Sequence, residues 1–140
     1  ANIKMLPEVN PPEILYILEP ARSMWGREDL GEFQALEFFK SKSSRIELPP
    51  EVIIKLRPHP SDEIGKYESW INKQTDLKFI IEEKNLSLQE SISRSSFVVG
   101  CESFALVIAL LAGKQVYCSL PPWAPNCRLP HDGLVHLKNI

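Results

Sequence analysis

Residues 52–61 read Val-Ile-Ile-Lys-Leu-Arg-Pro-His-Pro-Ser, a β-branched apolar run that stops at Arg57-Pro58-His59-Pro60. The run has the makeup of a buried strand. Neither Pro58 nor Pro60 has an N–H for a sheet ladder, and each drives the residue before it out of the helical region. The strand therefore ends in a stiff, extended turn that carries a guanidinium and an imidazole. That geometry suits an anion.

The same kind of run recurs on both sides. Residues 14–18 (Ile-Leu-Tyr-Ile-Leu) are stopped by Glu19-Pro20, residues 77–81 and 97–99 form two further short runs, and residues 115–119 end at Leu120-Pro121-Pro122. Between them lie helical patterns. Residues 29–42 place Leu30, Phe33, Leu36, Glu37 and Phe38 near helical spacing, with Phe39 widening the face. Ser61-Asp62-Glu63 gives N-cap and acidic first-turn signals for a helix to about residue 72 that includes Ile64, Tyr67 and Ile71. Ser87 and Glu90 have capping-box spacing, with Leu88 and Ile92 on the apolar side. Residues 102–111 predict a buried helix closed by Gly113.

Apolar strands alternating with helices are the pattern of a parallel sheet covered on both sides. The expected fold is one α/β domain over residues 1–140, a three-layer, doubly wound, Rossmann-like open parallel sheet. In such sheets ligands sit beyond the carboxyl ends of the strands, where the Arg-Pro-His-Pro turn and the later Gly100-Cys101-Glu102-Ser103 turn both fall. The tail from Trp123 is broken by prolines and reads as a short helix or as a segment lying across another domain.

Composition narrows the partners. The chain has 140 residues and a formal net charge of −2, with scattered Lys and Arg and no basic stripe, which argues against nucleic acid. Cys101, Cys118 and Cys127 lack a C-x-x-C spacing and read as reduced thiols of a cytoplasmic protein. The longest apolar stretch, residues 104–113, is well short of the ~20 residues a bilayer span needs. The first residues lack the apolar core of a secretory leader.

Each candidate site residue has two readings. Ser103, at or next to a helix N-terminus, offers a phosphate a hydroxyl beside free backbone N–H groups, or is an ordinary cap. His59 either hydrogen-bonds a phosphate oxygen or protonates a phosphate leaving group, or it is a turn histidine bonded to a backbone carbonyl. Arg57 grips the same phosphate or pairs with Asp62 or Glu63. Glu82 and Glu83 reach a sugar hydroxyl or form a solvated loop pair. Trp123 stacks on a ligand or covers the core. Cys101 lacks a local histidine to make it a nucleophile. His131 and His136 lack the spacing and carboxylates of a metal site.

Taken together, Arg57-Pro58-His59-Pro60 and the turn at Glu102-Ser103 resemble the C-terminal, donor-nucleotide domain of GT-B glycosyltransferases, most closely bacterial sialyltransferases and polysialyltransferases with a His-Pro motif. The resemblance spans roughly residues 14–120. It implies one half of a GT-B pair in which His59 contacts the phosphate of a CMP-sugar and assists its departure, Ser103 binds the same phosphate, and Arg57 and Pro60 lie near the base. A ribose-binding glutamate of the family has its nearest counterparts in Gln89 and Glu90. Glu102 stands where the family has the first serine of a pair, so it would turn away from the phosphate or bind a hydroxyl. No metal or other cofactor is implied.

The family's catalytic base, an Asp/Glu-Asp/Glu-Gly motif, belongs to an N-terminal domain and does not occur in these residues. The resemblance thus implies a partner domain that supplies the base, a glycan acceptor for surface polysaccharide synthesis, and a location at the inner face of a bacterial inner membrane, with peripheral association. CDP-glycerol glycerophosphotransferases and capsule Kdo transferases share a His-Pro turn with a later serine. A non-catalytic nucleotide-binding or scaffold module is the reading from another class.

Overall fold

Alternating apolar runs need a sheet that is covered on both faces, and the computed structural model, which describes residues 6–140, has that arrangement. Residues 1–5, and with them most of the segment read above for a leader, lie outside the described residues. Strands β1 (Glu13–Ile17), β2 (Ile53–Arg57), β3 (Lys78–Ile81), β4 (Phe97–Gly100), β5 (Gln115–Cys118) and β6 (Leu134–His136) form one sheet in the order β3-β2-β1-β4-β5-β6. Every neighbouring pair is parallel; Ile14 lies opposite Ile54 on one side and Phe97 on the other. This is a Rossmann-like open sheet.

Four helices connect the first five strands: α1 (Gly31–Lys42), α2 (Glu68–Asn72), α3 (Leu88–Arg94) and α4 (Ala105–Leu111). The strand period of two sorts the core into two layers. Ile14, Tyr16, Ile54 and Val99 join Leu36, Phe39 and Tyr67 on one face. Leu15, Ile17 and Val98 join Ile92, Leu106 and Ala109 on the other. Each large side chain buried in these layers contributes about 1.5–3 kcal/mol. Lys55 is the exception inside β2: its buried ammonium lies 3.4 Å from Glu13 and 2.5 Å from Glu83.

The structure differs from the sequence expectation in three places. The helix expected from residue 61 begins only at Glu68, because residues 59–67 are spent on turns. The Asp62 carboxylate accepts the His59 N–H, Gly65 has φ +86°, and Ile64 is almost wholly exposed. The helix expected from residue 102 begins at Ala105, after a turn in which Ser103 Oγ accepts the Ala105 N–H at 3.2 Å.

The third difference is the tail. After β5 the chain returns along the sheet as a proline-broken strap, residues 119–133, and enters as a sixth parallel strand followed by a 3-10 turn, Leu137–Asn139. Proline spacing hides this strand, since β6 is short and only Leu134 is fully buried in it. Leu134 packs into one layer of the core and Leu137 into the other. Among the described residues, no helix is long and apolar enough to cross a membrane.

Candidate functional site

The chain order places β2 and β3 on one side of β1 and β4, β5 and β6 on the other, so the direction of winding reverses between β1 and β4. Loops that leave the carboxyl ends of these two strands diverge, and a crevice opens between them. Its walls are Glu19, Pro20, Arg22 and Trp25 after β1, Cys101 and Glu102 after β4, Leu120 after β5, and Pro125, Asn126 and Arg128 from the strap. The volume is about 530 Å³. A second cavity of about 540 Å³ adjoins it, lined by Pro20, Arg22, Leu30, Ser61, Asp62, Glu63 and Lys66.

Close backbone approach shapes the crevice. A Cβ on Gly100 would lie 2.9 Å from Leu106 Cδ2 and 3.3 Å from the Ile17 carbonyl, so β4 ends tight against both α4 and β1. A Cβ on Gly31 would meet Ala21 Cβ at 2.6 Å and the Trp25 ring at 2.7 Å. The start of α1 therefore presses directly on the loop after β1. That loop is also tied down by hydrogen bonds: Ala21 N–H to Glu32 Oε1 (3.3 Å), Gly31 N–H to the Ser23 carbonyl (2.8 Å), and Gln34 Nε2–H to the Met24 carbonyl (2.7 Å).

At the end of β2, His59 is exposed. Its Nδ1 accepts the Ser61 N–H at 3.0 Å and lies 2.8 Å from Ser61 Oγ. An Nδ1 that accepts from a backbone N–H fixes the neutral ring as the Nε2–H tautomer, with Nε2–H the available donor. The ring is thus bonded to the backbone as an acceptor from an N–H, where the turn reading expects a carbonyl partner, and through a nitrogen that leaves the other one free for a ligand. Pro60 lies beside it on the same exposed turn.

Arg57 does not form the surface pair expected for it: its guanidinium reaches the buried Glu82 carboxylate and the Leu86 carbonyl (3.2 Å) rather than Asp62 or Glu63. Glu82 also accepts the Ser91 hydroxyl at 2.5 Å. Glu82 is therefore no solvated loop residue; only Glu83 is exposed, and its bond to Lys55 holds its pKa below the usual carboxylate value. The reason is geometric: β2 and β3 pair in parallel, so their ends deliver Arg57 and Glu82 side by side.

Ser103 stands next to the start of α4, half-buried, with its oxygen serving as a cap and its hydroxyl proton still to be donated. Glu102 turns away from it. Its carboxylate takes the Arg128 guanidinium at 3.1 Å and the Arg128 N–H at 3.2 Å, while its own N–H donates to Glu19 Oε1 at 2.8 Å. Burial raises the Glu19 pKa; the Glu102 N–H, His59 and Arg128 act against the rise. Gln89 and Glu90 open α3, and Glu90 closes the capping box with Ser87. They line neither cavity at this edge.

Cys101 lines the crevice, and the other two cysteines lie against it. Cys118 and Cys127 both donate to the Cys101 carbonyl, at 3.0 and 3.6 Å. Burial pushes the Cys101 thiol up and Cys118 to about 12, so neither is a thiolate near neutrality. Trp123 covers α1: its indole N–H donates to Gln34 Oε1 at 2.6 Å, and the Arg27 guanidinium lies 3.8 Å from its ring centre. His131 and His136 join no group of metal-ligating side chains among the described residues.

Glu19, Arg22, Asn126 and Arg128 line the crevice without having been singled out in the sequence. Glu19-Pro20 carried a usable signal, because it ends a strand as Arg57-Pro58 does. The strap residues carried none, since their place follows only from β6. No protein-family model and no curated protein matches the chain.

Proposed function

We propose that this chain is a donor-nucleotide domain of a glycosyltransferase that uses a CMP-activated sugar of the sialic-acid type in surface glycan synthesis. The observation that carries the proposal is the Nε2–H of His59, fixed as a donor by Ser61, which lines the cavity adjoining the crevice where the sheet's winding reverses. In this role His59 donates to the donor's phosphate, and the bond between the anomeric carbon and the phosphate oxygen breaks with that charge stabilised. Ser103, two strands over on the far side of β1, adds its hydroxyl proton to the same group. Glu102 is drawn aside by Arg128, which removes the repulsion its position implies. The acceptor's base comes from another domain, and no metal or other cofactor is invoked. The glycan acceptor, the base-supplying N-terminal domain and peripheral association with a bacterial inner membrane belong to this proposal.

Calorimetric titration of CMP into the purified chain tests the reading. Saturable binding is expected, and absence of heat or NMR shift changes at millimolar CMP overturns it. CDP-glycerol, titrated alongside, separates a glycerophosphotransferase from the sialyl reading by which nucleotide binds more tightly.

A second reading, a non-catalytic nucleotide-binding or scaffold module, is favoured by the acidic lining of the crevice at Glu19, Glu32 and Glu102. It predicts CMP binding without any gain in affinity from the attached sugar.

A further inference from the structure

Three basic side chains line the two cavities at the carboxyl edge. Arg128 is paired with Glu102, and Lys66 is held between Glu32 and Asp62 at 2.5 and 2.8 Å. Arg22 has neither a salt bridge nor a hydrogen bond to any described residue. Yet Arg22 is the residue, with Pro20, that both cavities share. Arg22 thus borders both.

The backbone beneath it is unusual. Arg22 has φ +55° and Trp25, in the same loop, φ +48°. Both lie in the left-handed region that residues with a Cβ seldom adopt, and such conformations persist where surrounding structure over-determines them. Here the determinants are visible: Ala21, Ser23 and Met24 are each bonded to the first turns of α1, and Gly31 lets that helix press against Ala21. The fold thus holds the backbone on both sides of Arg22 and leaves the head group unengaged. Glu19 and Glu63 line the same cavities, but Glu19 is bonded to the Glu102 N–H and neither carboxylate pairs with Arg22.

We propose that Arg22 is the oxyanion receptor of the crevice, taking a carboxylate or phosphate of the bound ligand in a two-pronged grip where the two cavities meet. A planar guanidinium matches two coplanar oxygens, and no acidic side chain of the described residues pairs with it here. The assignment rests on the donor-nucleotide reading above for the ligand's identity. That ligand has two oxyanions: the phosphate of the CMP moiety and the carboxylate of an acidic sugar attached to it.

The test is calorimetric titration of the full chain with CMP and with CMP-N-acetylneuraminate, in wild type, Arg22→Asn and Arg45→Gln. Asparagine tolerates the left-handed backbone, so an unchanged unfolding midpoint is expected. Arg45, in the 3-10 turn Ser43–Arg45 after α1, controls for loss of one positive charge at the opposite edge. Arg22→Asn should weaken CMP-N-acetylneuraminate by roughly fivefold or more, and Arg45→Gln by less than about twofold. A matching loss for CMP assigns the grip to the phosphate; an unchanged CMP affinity assigns it to the sugar carboxylate. Unchanged affinity of Arg22→Asn for both ligands, or an equal loss in Arg45→Gln, overturns the proposal while leaving the nucleotide reading in place. A wild-type chain that binds neither ligand overturns both.

Discussion

Arg57 and Glu82 form an ion pair across the ends of β2 and β3, closed by the Ser91 hydroxyl and the Leu86 carbonyl. The pair makes Arg57 a latch that holds the β3–α3 loop against the sheet. Glu82 reinforces it through its own N–H, which donates to the Leu56 carbonyl.

Removing the cation strands a buried carboxylate. Arg57→Met should cost about 2–4 kcal/mol in urea unfolding, with a smaller loss for Glu82→Gln, which keeps the Ser91 bond. CMP affinity should stay near wild type. Lost CMP affinity with unchanged stability would return Arg57 to the ligand.

His59→Ala should weaken CMP binding by about tenfold, the scale of one hydrogen bond to a charged group. Cys101→Ser should leave it near wild type, since the buried thiol is protonated and its neighbour Ser119 shows that a hydroxyl is accommodated there. Nitrogen NMR of the neutral His59 ring should report the Nε2–H tautomer. An Nδ1–H signature would contradict the Ser61 bond.

Gly31→Ala drives a methyl group into Ala21 and Trp25. The expected cost is about 1–3 kcal/mol, as for overpacking elsewhere. Because the loop after β1 must shift to relieve the clash, CMP affinity should fall as well. A variant with wild-type stability and affinity would show that the loop is not pressed by α1.

Glu19 supplies a pH dependence with a definite sign. Burial raises its pKa, so the folded chain holds that proton more tightly than the unfolded one. The resulting stabilisation is complete below the unfolded value of ~4.3 and is lost as pH rises through the folded value. Glu19→Gln removes the titration. The midpoint of the variant minus that of wild type should therefore grow from pH 4 towards pH 7; a difference that shrinks with rising pH would refute the burial argument.

The fold was legible where one residue's chemistry settles its environment. The apolar runs at residues 14–17 and 53–56, broken only by Lys55, admit few places except a covered parallel sheet, and the sheet follows from them. The place of His59 after a strand was legible too, because the two prolines beside it stop the ladder. Arg57 was not, because its partner lies in another strand and only the parallel register brings Glu82 alongside. Arg22 escaped notice because a loop residue's φ and its lack of a partner leave no mark in the sequence. Residue 64 misled: an isoleucine at helical spacing looks like core, but Asp62 and Gly65 spend the backbone on turns first.

The strap from β5 to β6 has a consequence for how the crevice comes apart. Arg128, which draws Glu102 aside, and Asn126, which forms the far wall, are anchored at one end by β5 and at the other by an edge strand of three residues. An edge strand that short is among the first elements to open locally, at a free energy below that of global unfolding. Fraying of β6 would release the far wall and the Glu102 latch together. In native-state hydrogen exchange the amides of Val135, His136 and Arg128 would then behave as one unit, and the protein's weakest seam would be a wall of its crevice.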